Sequence, residues 1–151
     1  MHFKKLVGTQ CYLSPCSMEE AEKWTRWDND LEVAIRIINN LFKNIPSNIF
    51  ISQKEAYYHS VVFLAFYYLG LFIEAEVHTS DGRLDAVVET STHIYIWEFK
   101  LDETAEIALQ QIHSKAYAER YSESEKTVVA VGINFDSKTK SVNDWKFEAI
   151  S

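Results

Sequence analysis

The stretch GRLDAVVETSTHIYIWEFK, residues 82–100, decides how the rest of the chain is read. Two runs, LDAVVE and HIYIWEFK, are rich in β-branched and aromatic residues, and the short polar turn TST separates them. They form a β-hairpin. Upstream, FIEAEVHT alternates Ile73, Ala75 and Val77 with Glu74, Glu76 and His78, a period of two. The SDGR turn that follows places Gly82 where a positive φ is needed. Three antiparallel strands in a meander result. Asp85, Glu98 and Lys100 then stand out, because an ordinary sheet would use apolar or small polar residues there.

Glu98 and Lys100 are two apart on one strand and share a face. Asp85 lies near the start of the preceding strand. In an antiparallel hairpin the start of one strand lies beside the end of the next, so all three residues meet at one end of the sheet. Two carboxylates about 4 Å apart repel by ~4 kcal/mol at an effective dielectric of 20. Lys100 can offset part of that, and a divalent cation with hard oxygen ligands can offset more. Such a cation polarises a phosphoryl oxygen and holds water, while a lysine beside it orients that water or stabilises developing charge. The same residues also suit an exposed sheet edge with a cross-strand ion pair.

Helical segments surround the meander. Ser17 and Glu20 form a capping-box pattern opening a short helix through Trp24 or Trp27. DNDLEVAIRIINNLFKNIP carries one apolar stripe, Ala34, Ile37, Ile38, Leu41 and Phe42, capped by Asp28 or Asn29 and closed by Pro46. A third helix opens at Ser52, with Glu55 completing another box, and runs to Gly70. It is apolar almost all round, which predicts a central, buried helix. After the meander, ETAEIALQQIHSKAYAERY is helical from about Thr104 to Tyr121, with Ala108, Ile112 and Ala116 on one stripe. TVVAVGINF reads as a strand buried on both faces, SKTKS as a turn and DWKFEAI as a last alternating strand.

The bulk properties bound the reading. At 151 residues, 47% hydrophobic and with 4 Gly and 2 Pro, the chain suits one globular core. A formal net charge of −7 counts against tight, metal-free binding to nucleic acid, whose affinity comes mostly from Lys and Arg. Cys11 and Cys16 are a C-x4-C pair without a second pair, so they read as reduced thiols rather than a zinc site. The N-terminus has no long apolar core of a signal peptide. The run Val61–Ile73 is shorter than the roughly 20 residues of a membrane span. A cytoplasmic protein with no membrane partner is expected. No G-x4-G-K-[ST] loop is present, which argues against ATP hydrolysis by this chain.

The order helix, three-stranded meander, helix, strand, with D…E-x-K on the second and third strands, resembles the PD-(D/E)XK nuclease superfamily. More closely, KEAYYH, GRLDAVVET, IYIWEFKLD, ALQQI, KAYAERY and VGINFDSKTKSVNDWKFE are similar to the PD-(D/E)XK domain usually found C-terminal to an AAA-ATPase-like domain. The resemblance runs from about Asp28 to Ile150. It implies an α/β fold in α+β order, with a restriction-endonuclease-like core: the meander, then helix, strand and strand, with N-terminal helices packed on it. Residues 1–27 would be an extension with a short helix, and 28–151 the nuclease-like domain. No ATPase domain accompanies it here, which suggests a stand-alone relative, a truncated product or an excised module.

The resemblance also implies roles. Asp85 and Glu98 would bind Mg2+, with Mn2+ able to substitute, and the carbonyl of Phe99 would complete the metal shell. Lys100 would position or activate water, Gln111 would reach into the site from the following helix, and Tyr117 is a further candidate. No Pro-Asp dipeptide precedes the site; Leu84 stands before Asp85. The function implied is a metal-dependent nuclease acting on nucleic acid, with DNA the expected substrate. The alternative is a non-catalytic or weakly catalytic module of the same fold, binding or regulating beside an AAA-ATPase-like partner. A pure oligomerisation domain is a third reading. Glu55 is open between a metal ligand and a capping-box residue. His59, one turn later, reads as a core or helix-face histidine. Glu76 and His78 read as an exposed strand face, Glu89 as a surface residue, Arg83 as the partner of an acid, and His113, Lys115 and Arg120 as a solvated helix face.

Overall fold

A computed structural model describes residues 29–68, 72–79, 82–115 and 120–150 of the chain. By compactness the chain divides into two units, Met1–Ile37 and Ile38–Ser151. The short helix expected after Ser17 lies outside the described residues, as do Gly70, Ala116 and Tyr117.

The first described helix, α1, spans Leu31–Asn44. Its cap is Asp30, not Asp28 or Asn29: Asp30 Oδ1 accepts from the backbone N–H groups of Glu32 and Val33 at 3.0 and 3.3 Å. The expected stripe is real, with Ala34, Ile37, Ile38 and Phe42 buried and Leu41 half-buried. Helix α2 spans Glu55–Tyr68, three residues later than the Ser52 box predicts. Ser52 lies outside the first turn, and its carbonyl accepts from the Tyr58 hydroxyl at 3.0 Å. Nor is α2 buried all round. Tyr58, Val62 and Phe66 form its buried stripe at a spacing of four, while Leu64 and Tyr67 are 50% and 59% exposed. A helix lying on a sheet shows only one face to it, whatever its composition. No helix among the described residues is long and apolar enough to cross a membrane.

The meander follows as β1 (Phe72–Thr79), β2 (Gly82–Glu89) and β3 (His93–Leu101). Helix α3 (Ala105–Ser114) then crosses to β4 (Thr127–Asp136), and β5 (Ser141–Ala149) closes the sheet. The five strands lie in the order β1-β2-β3-β4-β5. β3 and β4 are parallel and the other neighbours antiparallel. A parallel pair needs a crossover, and α3 supplies it. The mixed α/β sheet with flanking helices is the restriction-endonuclease-like architecture expected.

Each face of the sheet carries a core. On one, Ile94 and Ile96 of β3 join Val87, Val128 and Ala130 under Leu109 and Ile112 of α3. On the other, Trp97 and Phe99 meet Phe66 and Phe135 with ring centroids 5.6–6.3 Å apart, and Phe42 and Tyr58 join the same cluster. The even-numbered residues of β3 therefore face α3, and Glu98 and Lys100 belong to that set. Gly132 of β4, beside Glu98 in the parallel register, lets α3 approach closely. A Cβ there would sit 2.5 Å from the carbonyl oxygen of Ala105, inside contact distance for any real side chain. The start of α3 is fixed further by Asp144 Oδ2, which accepts from Ala105 N at 2.9 Å, and by Thr104 Oγ1, which accepts from Ile107 N at 3.2 Å.

Candidate metal and phosphodiester site

The β2–β3 ladder runs from Glu89↔Ile94 to Ala86↔Trp97 and stops. One step further, the same register would set Asp85 opposite Glu98. There the strands separate, and the Asp85 side chain takes over from the ladder. Its Oδ2 accepts from the backbone N–H of Phe99 at 2.8 Å. In an extended strand the N–H and C=O of one residue point to the same neighbour. The Phe99 carbonyl thus faces the gap that β2 leaves.

Glu98 is the most constrained member. It is 1% exposed, in the middle of a hydrophobic sheet. Its Oε1 lies 3.3 Å from Lys115 Nζ and 3.9 Å from Lys100 Nζ. Its Oε2 is buried and has no hydrogen-bond partner. Burial, followed by the neighbouring charge of Asp85, pushes its carboxyl up to about 7, against the opposing pull of Lys115 and Lys100. A buried carboxylate with an unpaired oxygen is costly, and such an atom in a native fold calls for a water, an ion or a proton.

A divalent ion of the Mg2+ type fits this donor set. It takes hard oxygens and keeps several waters, so two carboxylates and one carbonyl suffice. Among the described residues no three His, Cys, Asp or Glu side chains gather into a protein-only cage. Glu55 accordingly joins no three-acid cluster. Its carboxylate is 43% exposed, and Oε1 lies 3.7 Å from His59 Nε2. With the Ser52 box unformed, its capping-box reading also falls.

His59 and Lys115 are the residues that sequence reasoning passed over. His59 Nε2 is buried without a hydrogen-bond partner, 3.7 Å from both Glu55 Oε1 and Asp85 Oδ2. Both distances exceed a hydrogen bond. Its ring packs against Phe99 at 5.0 Å. The i,i+4 spacing of Glu55 and His59 was its only signal. Lys115, expected on a solvated helix face, instead bonds Glu98 from the C-cap of α3. It stands four residues after Gln111, so the two share a helix face. Gln111 itself is half-buried.

The remaining polar candidates serve the scaffold. Glu89 pairs with Lys126, and His113 with Glu148. Arg120 lies over the Tyr121 ring at 5.8 Å. The side chains of Glu76, His78 and Arg83 lie outside the described residues. A cavity of ≈ 520 Å³ between α3 and β5, lined by Glu106, His113, Trp145 and Phe147 among others, contains none of the Asp85–Glu98 set. Its Lys146–Glu106 and His113–Glu148 pairs tie the helix to the edge strand.

The family profile of the PD-(D/E)XK nuclease superfamily matches residues 53–145, more than half of the chain. The chain belongs to that superfamily. Among curated proteins it is similar to one of Azotobacter chroococcum mcd 1 described as "Uncharacterized protein in vnfD 5'region", 33% identical over 128 residues. That alignment covers 81% of this chain and 25% of the relative. The chain therefore spans about a quarter of the length of that protein. Members of that superfamily are nucleases that generally use divalent metals.

Proposed function

We propose that the protein is a Mg2+-dependent nuclease that hydrolyses phosphodiester bonds, with DNA as substrate and Mn2+ able to replace Mg2+. The observation that carries this reading is Glu98: a buried carboxylate, one oxygen unpartnered, beside Asp85 at the point where two strands part. An unpartnered buried oxygen calls for a water, an ion or a proton, and a divalent cation would answer Asp85 and Glu98 together. Asp85, Glu98 and the Phe99 carbonyl would hold the ion. Bound there, it would supply Lewis-acid polarisation of the phosphoryl oxygen and lower the pKa of a coordinated water.

The chain's own residues do the rest. Lys100, on the face of β3 shared with Glu98, holds an ammonium 3.9 Å from Glu98 Oε1. From there it orients the attacking water and stabilises charge growing on the phosphoryl oxygens. Gln111, four residues before Lys115 on α3, would offer a hydrogen-bonding group to water or phosphate. Asp85 is held by the Phe99 N–H, so its second oxygen is positioned without a search through rotamers. Water adds to phosphorus as the bond to the departing sugar oxygen breaks.

The test is cleavage of labelled single-stranded DNA, duplex DNA and RNA with Mg2+, Mn2+ or EDTA, by wild type and by Lys100→Met. Metal-dependent cutting of DNA, lost in the variant, is expected. A wild type that binds neither Mg2+ nor Mn2+ at millimolar concentration sinks the enzyme reading. A second reading draws on the formal net charge of −7, which disfavours unaided binding to nucleic acid. It is a nuclease-fold module that binds nucleic acid beside a larger, AAA-ATPase-like partner and cuts little alone. Metal and DNA binding without turnover would favour it.

A further inference from the structure

The site contains a second lysine that hydrolysis as described above does not use. We propose that Lys115 is a substrate-contacting residue, parked on Glu98 as a stand-in cation and released to a phosphate when that carboxylate takes its metal. This rests on the nuclease reading.

Three observations lead there. Lys115 Nζ is closer to Glu98 Oε1 than Lys100 Nζ is, 3.3 Å against 3.9 Å. The Lys115 side chain is 19% exposed, against 14% for Lys100 and 1% for Glu98. The other oxygen of Glu98 is buried and unpartnered. Both ammonium groups thus lie on one oxygen of this carboxylate and leave the other without a partner. A cation held by Glu98 and an ammonium on its Oε1 would repel each other. The lysine, a point charge on a flexible four-carbon stem, is the partner able to move. Lys100 lies within β3, whereas Lys115 is the C-cap of α3, outside the sheet. Near it, the scissile phosphate provides the negative charge that Glu98 no longer offers.

The competing account is a permanent structural counterion at the C-terminal end of α3, where a cation is favourable in any case. The two accounts separate by experiment on Lys115→Met and Lys115→Arg, above pH 7 so that Glu98 is ionised. Mn2+ affinity is read from the free-ion EPR signal. DNA affinity is read by anisotropy of fluorescein-labelled single-stranded and duplex DNA in Ca2+, over a range of salt.

If Lys115 is a stand-in cation, Lys115→Met binds Mn2+ roughly tenfold more tightly, because no charge-assisted bond has to be displaced. It also binds DNA more weakly, with the slope of log affinity against log salt reduced by about one. Lys115→Arg keeps the slope. Unchanged or weaker Mn2+ binding by Lys115→Met, or an unchanged slope, overturns the proposal. So does a Lys115→Met that fails to fold while Lys115→Arg folds. A wild type that binds no Mn2+ overturns the nuclease reading together with this one, whereas a wild type that binds Mn2+ beside an inert Lys115 variant overturns this one alone.

Discussion

Replacing Glu98 by Gln should stabilise the metal-free protein, and the size of the effect follows from the site. Burial and the neighbouring Asp85 raise the Glu98 carboxyl from 4.5 to about 7. At 1.36 kcal/mol per unit this amounts to roughly 3 kcal/mol of destabilisation when the group is ionised. The native state holds a proton on Glu98 between those two pH values and the unfolded chain does not. Stability therefore falls as pH rises from 4.5 to 7 and is flat on either side. The glutamine side chain carries no charge to desolvate, and its carbonyl can still accept from Lys115. The variant should match wild type below pH 4.5 and exceed it above pH 7 by about 1–3 kcal/mol, an upward Tm shift of several degrees for a chain this size. Divalent metal should reverse the order. At about 100 times Kd it adds ~2.7 kcal/mol to wild type, and the variant, one ligand short, gains little. Thermal melts of both proteins across pH, in EDTA and in Mg2+ or Mn2+, make the comparison. A variant that melts below wild type in EDTA above pH 7, or a gap that ignores pH, would refute the reasoning. Glu98 would then be an ordinary buried ion pair with Lys115 and Lys100, whose rupture destabilises.

Asp85→Asn keeps an acceptor for the Phe99 N–H, so it should melt near wild type in EDTA. Asp85→Ala leaves that N–H unpaired and should lose about 1–3 kcal/mol; both should lack the metal-dependent rise, as calorimetry would show. Lys100→Met should retain metal binding while single-turnover cleavage falls by roughly 10²–10⁴-fold. Gly132→Ala places a methyl 2.5 Å from the Ala105 carbonyl oxygen. It should cost about 1–3 kcal/mol in urea unfolding as α3 is pushed off the sheet. His59→Phe keeps the ring against Phe99 but removes the nitrogen beside Asp85. A normal Tm with altered Mn2+ affinity would tie His59 to the site, and unchanged affinity would return it to packing.

The hairpin was legible because its determinants are local. Alternation of period two fixes which residues share a face, and a tight turn at Ser91–Thr92 fixes the register, as the Thr90 N to His93 O bond of 2.9 Å shows. From those two facts alone, Asp85 comes beside Glu98 and Lys100. Turn and capping signals were less secure. The Ser52–Glu55 box is a valid local pattern, but α2 starts at Glu55 and the Ser52 carbonyl accepts from the Tyr58 hydroxyl. Apolar composition likewise made α2 look central, although a helix on a sheet buries one stripe and leaves Leu64 and Tyr67 outside.

Lys115 and His59 depend on something no local pattern encodes: the angle and distance at which a helix crosses the sheet. Lys115 reaches Glu98 because α3 lies close over β3 and β4, which Gly132 permits and the Asp144 cap fixes. His59 comes from α2, packed on the opposite face, and its Nε2 lies 3.7 Å from Asp85 Oδ2 where the β2–β3 ladder has ended. The sequence by itself placed three charged residues at one end of a hairpin. The burial of Glu98, its unpartnered oxygen and the second lysine upon it arise from contacts between segments distant in the chain, and only their packing in three dimensions decided them.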